Sequence, residues 1–227
     1  MSDKPLDNFE NGIFWELYKD LEHQFENFLV YVPYLEGNEK TYSFKLLNLI
    51  LSIGGHVDSA FKEMARYPEF SGNVDCEEML KLIKKKKTVP ITLPLKAFET
   101  EYKLSKKTVI FKRLPEWENL APFKSRSVKA TSPKWWKIYN DLKHDVGVNI
   151  TEANLQNTRD AMAGAFLLNI FHTPGYLRLL EYRIVRRKDE GFFRLKSGWK
   201  EKMKEWINKE RRFGVLETQL FIYDYEQ

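Results

Sequence analysis

The chain has one cysteine in 227 residues, and that scarcity excludes much at once. A lone thiol, Cys76, can form neither an internal disulfide nor a Cys-rich zinc site, and a buried, inert side chain is its expected fate. Long hydrophobic runs are also missing. The best stretches, around 46–53 and 163–171, are short and interrupted by polar residues, where a spanning helix needs about 18 apolar residues in a row. A soluble protein with no membrane partner is expected. The opening Met-Ser-Asp-Lys-Pro has no apolar segment behind a basic start, so a cytoplasmic location is expected and the sequon at 149–151 lacks a secretory setting. There is no Gly-x-Ser-x-Gly elbow, no Walker loop and no His-Glu-x-x-His. The four histidines, His23, His56, His144 and His172, have no i, i+4 His partner, so neither metal nor cofactor is expected.

What is present points to a folded helical chain. The composition is 43% hydrophobic and 15% aromatic beside 30% charged, which is enough apolar side chain to offset the entropy of ordering. The length suits one domain with a decorated edge. Charge is distributed unevenly. Residues 1–60 hold four Lys and no Arg against ten Asp and Glu, whereas residues 176–212 hold thirteen Lys and Arg against six acids. That asymmetry suits a polyanion on one side and solvent or an acidic partner face on the other.

Apolar residues at three- and four-residue steps predict helices over about 12–32 and from Thr41 or Ser43 to about Arg66. Gly54 and Gly55 inside the second helix each cost roughly 1 kcal/mol relative to Ala, which implies a close helix crossing there. Asp75 and Glu78 predict a capped short helix that ends in Lys84 to Lys87, a run read as a solvated helix end. Pro90, Pro94, the alternation of Ile91, Leu93 and Leu95, and the strand formers Thr108 to Phe111 predict a small β insertion at about 88–114. Ser132-Pro133 opens a short helix through His144, with one of Trp135 and Trp136 expected in the core. Thr151 is expected to cap the next helix, whose Ala161, Ala163, Gly164 and Ala165 permit close packing. A basic helix at about 176–188, a charged one around Trp199 to Trp206, and a strand at 215–223 complete the chain. His172 is expected to act as a helix C-terminal cation.

Asn140 and His144 are four apart on one helix and so share a face, with Trp136 one turn earlier and Lys143 beside them to neutralise a phosphate. The words "PKWWKIYNDLKHD" and "TEANLQNTRDAMAGAFLLNIF", with "YVPYLEGNEKTYSFKLLNLILSIGGHVDSAFKEM" upstream, resemble the HEPN superfamily of small all-helical proteins, in particular its bacterial and archaeal branch. The resemblance covers about half the chain. It implies a mainly α fold, a HEPN-like helical bundle placed over 1–190; the β insertion and the C-terminal third are unmatched by it, and a basic helix with a short strand is expected as an extension over 191–227. It also implies a metal-independent endoribonuclease site, shared across a homodimer, in a defence or stress system. His144 matches the family histidine and Asn140 the polar residue, while the family arginine is replaced by Tyr139. A phenol supplies no permanent charge, and Lys143, Lys137 or Arg159 are the substitute cations. The expected catalytic set is therefore His144, Asn140 and Lys143, with Tyr139, Lys137, Arg159, Arg183, Arg186 and Arg187 toward RNA. The alternative is an inactive module that binds RNA or a protein partner.

Overall fold

In the computed structural model, residues 13–66, 70–112, 118–124, 132–171, 185–186, 215–217 and 220–224 are described. The protein is mainly helical. Among the described residues seven helices, α1 (Ile13–Tyr31), α2 (Phe44–Met64), α3 (Val74–Lys84), α4 (Thr92–Tyr102), α5 (Lys134–His144), α6 (Val146–Asn149) and α7 (Leu155–Phe171), accompany five strands. These are β1 (Val109–Phe111), β2 (Glu118–Leu120), β3 (Val185–Arg186), β4 (Val215–Glu217) and β5 (Phe221–Asp224), in the order β2-β1-β5-β4-β3 with every pairing antiparallel.

Helix α7 is the centre. It is buried on nearly every side, which a helix tolerates only when its surface is apolar all round, as Met162, Ala163, Ala165, Phe166, Leu167 and Leu168 provide. The small residues expected to allow close packing do so at Gly164, where an added Cβ would lie 2.6 Å from Cζ2 of Trp135. Gly54 does the same between α2 and α5, because a Cβ there would enter the Tyr139 ring. Gly55, its neighbour, has nothing within 4 Å of its Cβ position, so the crossing explains one glycine and not the other.

Two aromatic series hold the remaining elements to this centre. Phe61 stacks on Phe98 at 5.0 Å, Phe98 on Tyr102 at 6.0 Å and Tyr102 on Phe171 at 4.8 Å, which docks the α3–α4 hairpin onto α2 and α7. Tyr18, Phe166, Phe221 and Phe111 form the second at 5.5–5.7 Å and dock the sheet. Buried Glu22 reinforces that joint, its Oε1 accepting from the Tyr18 hydroxyl at 3.1 Å and the Leu220 N–H at 3.2 Å. Cys76 is buried, and its thiol is pushed up to about 11, first by burial and then by Asp75, as an inert thiol should be.

Several expectations need correction. The segment at 88–114 is not a β hairpin: residues 92–102 are helix, and only 109–111 form a strand. Pro94 is the third helical residue, where an N–H has no intrahelical acceptor to lose, and Pro94, Ala97, Phe98 and Tyr102 make the buried stripe that outweighs the alternation before it. A boundary at 190 divides the sheet, since β3 precedes it and β4 and β5 follow. Residues 185–186 are strand, not helix, while the charged helix around Trp199 to Trp206 and His172 lie outside the described residues. Caps also move. Asn73, not Asp75, accepts from the Cys76 N–H at 3.0 Å, and Asn154, not Thr151, accepts from the Asn157 N–H at 3.0 Å. Ser132 gives no cap; Pro133 occupies that position in extended conformation.

Candidate functional site

Helix α5 presents a buried face and a solvent face. Trp135, Trp136, Ile138, Tyr139 and Leu142 are buried, so both tryptophans belong to the core. The Trp135 indole N–H donates to the Pro122 carbonyl at 2.8 Å, which fixes the helix at its start. At the other end Asp145 leaves helical geometry at φ −147, and its carboxylate caps α6 through the Val148 N–H at 3.3 Å. The Asn149 amide closes the junction by donating to the carbonyls of Asp141 at 3.2 Å and Asp145 at 2.9 Å. These bonds satisfy the carbonyls that a helix end leaves open, and they hold the last turn in place.

His144 sits on that last turn, exposed, with no hydrogen-bond or ion-pair partner among the described residues. Lys143 beside it places Nζ 5.6 Å from the centre of the Tyr139 ring. Asn140 is half-buried, and its amide donates to the Trp136 carbonyl of the same helix at 3.0 Å. Lys137 is exposed and paired with Asp141 at 2.6 Å. Tyr139 is 6% exposed with its ring against Gly54 and Trp136, so it offers no ring face to a ligand. Arg159 is withdrawn from the surface as well. Its guanidinium donates to Asp160 Oδ1 at 2.7 and 2.9 Å and lies 5.0 Å from the centre of the Tyr34 ring, with the residue 5% exposed. Arg186 lies in β3, and Arg183 and Arg187, with most of the basic 176–212 stretch, fall outside the described residues.

The fold therefore joins Lys143, Tyr139 and Trp136 on one helix, leaves His144 open beside them, and assigns Tyr139 and Arg159 to packing. Among the described residues no group of three or more His, Cys, Asp or Glu could hold a metal ion, and no helix is long and apolar enough to cross a membrane.

Sequence reasoning missed a different histidine. His56 is buried at the contact of α2 and α7, where its Nε2 accepts from the Asn169 amide at 2.8 Å. The same amide donates to the Ala165 carbonyl at 2.8 Å. Phe14 closes the other side with ring centres 5.7 Å apart. Burial drives the imidazole down to about 4, and with Nε2 accepting, its proton sits on Nδ1, which is buried with no partner. Its place among Ile53, Val57 and Ala60 on the buried stripe was the available signal. Comparison with protein-family models, curated proteins and solved structures finds no match to this chain.

Proposed function

We propose that the chain is a HEPN-like protein that acts on RNA, as a metal-independent endoribonuclease whose site is completed across a two-fold homodimer at the C-terminal end of α5. The observation that carries this reading is the exposed His144 and Lys143 pair on a helix end immobilised by Asn149. Exposed apolar side chains at the same end of the bundle support the dimer. Phe44 is 75% exposed and Val148 76%, and the start of α2 is tied to the chain beyond α6 by the Ser43 N–H to the Ala153 carbonyl at 3.3 Å.

In this mechanism the His144 imidazole takes the proton of a ribose 2′-OH, the 2′-oxygen attacks phosphorus, and the bond to the 5′-oxygen breaks, that oxygen taking a proton from water to leave as a hydroxyl beside a 2′,3′-cyclic phosphate. Lys143 offsets charge on the phosphoryl oxygens, and Asn140 borders the site. A specific observation favours the second reading, a module that binds RNA without cutting it. The family arginine position is Tyr139, packed on Gly54, and the nearest arginine in sequence on α7, Arg159, is bonded to Asp160.

The purified chain, incubated with unstructured RNA in EDTA, separates the two. Cleavage to cyclic phosphate ends that drops about 10²- to 10⁴-fold in His144→Ala supports the enzyme, whereas RNA bound and left intact supports the module. Light scattering that shows only monomer at micromolar concentration removes the composite site.

A further inference from the structure

The start of α5 is as unusual as its end. A shallow surface groove there is lined by Phe61 of α2 and by Ile91, Leu95, Phe123, Pro133, Trp135 and Trp136. Besides α2, the chain around it comes from residues 79–98, the turn at 119–124 and residues 132–140. These three stretches hold nine lysines, six in 79–98, then Lys124, Lys134 and Lys137, and are bordered by Glu78, Glu99, Glu118 and Asp141. All nine are exposed, and among the described residues only Lys137 has an ion-pair partner, Asp141. The Lys84 to Lys87 run is a solvated helix end, and none of its lysines has an ion-pair partner among the described residues. Lys86 is held at φ 55, a left-handed conformation that glycine adopts freely, and all four lysines of the run at this turn are exposed.

We propose that this lysine-rich surface is a docking site for the phosphate backbone of single-stranded RNA. The inference rests on the RNA reading above and extends it to where the strand lies. Charge complementarity commits the face to a polyanion. The groove's tryptophans are 3% and 6% exposed, leaving no open ring on which a base could stack, so contact is to phosphates and carries no sequence preference. Helix α5, roughly 15 Å long at 1.5 Å per residue, leads from this face to His144. A strand held at Lys134 is thereby directed along the helix toward the imidazole.

The test uses the full chain, a labelled unstructured RNA oligonucleotide and fluorescence anisotropy over a salt series. A quadruple variant, Lys84→Gln, Lys85→Gln, Lys87→Gln and Lys134→Gln, should weaken binding at least 10-fold at low salt. It should also flatten the log–log salt slope by roughly 2 to 3, at about 0.7 per lost phosphate contact. A control that removes three lysines elsewhere, Lys19→Gln, Lys40→Gln and Lys45→Gln, should bind as the parent does, and melting curves verify that both variants fold. Parental affinity in the quadruple variant, an equal loss in the control, no RNA binding by the parent, or competition by polyglutamate as strong as by RNA would each overturn the proposal. Groove-dependent binding without cleavage would leave this face standing and remove the nuclease, whereas His144-dependent cleavage with undiminished binding by the quadruple variant would do the reverse.

Discussion

His56 and His144 lie on two helices that touch, and their surroundings are opposite. The first is enclosed by α1, α2 and α7, shares the Asn169 amide with the Ala165 carbonyl, and is held neutral by burial. The second stands exposed on a helix end with nothing bonded to it among the described residues. The fold accounts fully for His56, since a neutral ring with an internal donor fits a buried stripe. It gives no account of why residue 144 should be histidine. Adjacent Gly54 and Gly55 divide the same way, one required by the Tyr139 ring and the other by nothing among the described residues. A strongly perturbed titrating group is often read as a mark of function. Here the perturbed group belongs to the interior, and residues without an internal reason gather on α5's open face and the basic turn.

The largest effect that tests this contrast comes from acid. His56 titrates near 4 in the fold against about 6.5 when unfolded, so the fold favours its neutral form. Stability from this group is complete above about pH 6.5. As pH falls from 6.5 toward 4 the unfolded chain takes up the proton first, and stability drops by up to about 1.4 kcal/mol per pH unit, about 3 kcal/mol in all. Urea unfolding at pH 7, 6 and 5 measures the slope, and His56→Leu should flatten it. An unchanged slope in that variant would show that the loss arises elsewhere. His144→Ala, by contrast, should change stability by no more than about 0.5 kcal/mol at any of these pH values.

The glycine pair gives the next effect, with opposite signs at neighbouring positions. Gly54→Ala drives a methyl into the Tyr139 ring, and overpacking of that kind costs about 1–3 kcal/mol, only partly offset by better helix propensity. A net loss of about 2 kcal/mol is expected. Gly55→Ala meets nothing and should gain up to about 1 kcal/mol. Two losses of equal size in denaturant titrations would mean that Gly55 is also packed, and the contrast would fail at its clearest point.

Much of this was legible in the sequence, and the exceptions have physical causes. The apolar spacing of Leu46, Ile50, Ile53 and Val57 located α2, and the strand formers near Val109 located β1. Helix α4 is hidden in the sequence because Pro94 and the alternation of Ile91, Leu93 and Leu95 fall where coil becomes helix, although a first-turn proline breaks nothing. Helix α5's end was found, since i, i+4 spacing fixes which side chains share a face. Two partnerships were not found. Asn169 and His56 are 113 residues apart, and the Arg159 side chain lies against Tyr34, so both rest on tertiary contacts that no local pattern encodes.

The smallest effect sharpens the comparison most, because two properties should move in opposite directions. Lys86 ends α3 with φ 55, its N–H bonded to the Ile83 carbonyl at 2.9 Å and the next N–H to the Leu82 carbonyl at 2.9 Å, a helix terminus that glycine fits best. A lysine there costs stability and gains no internal contact among the described residues. Lys86→Gly should therefore stabilise the chain by about 0.5 kcal/mol, the relief of left-handed strain less the greater freedom of glycine in the unfolded state. If the basic face binds RNA phosphates, the same change should lower the salt slope of RNA binding by about 0.7, the value of one contact. Greater stability with weaker binding would show that the lysine is kept at position 86 for a partner. A variant that is less stable than the parent and binds RNA equally well would place Lys86 with Gly54 and His56, among the residues that the fold itself requires.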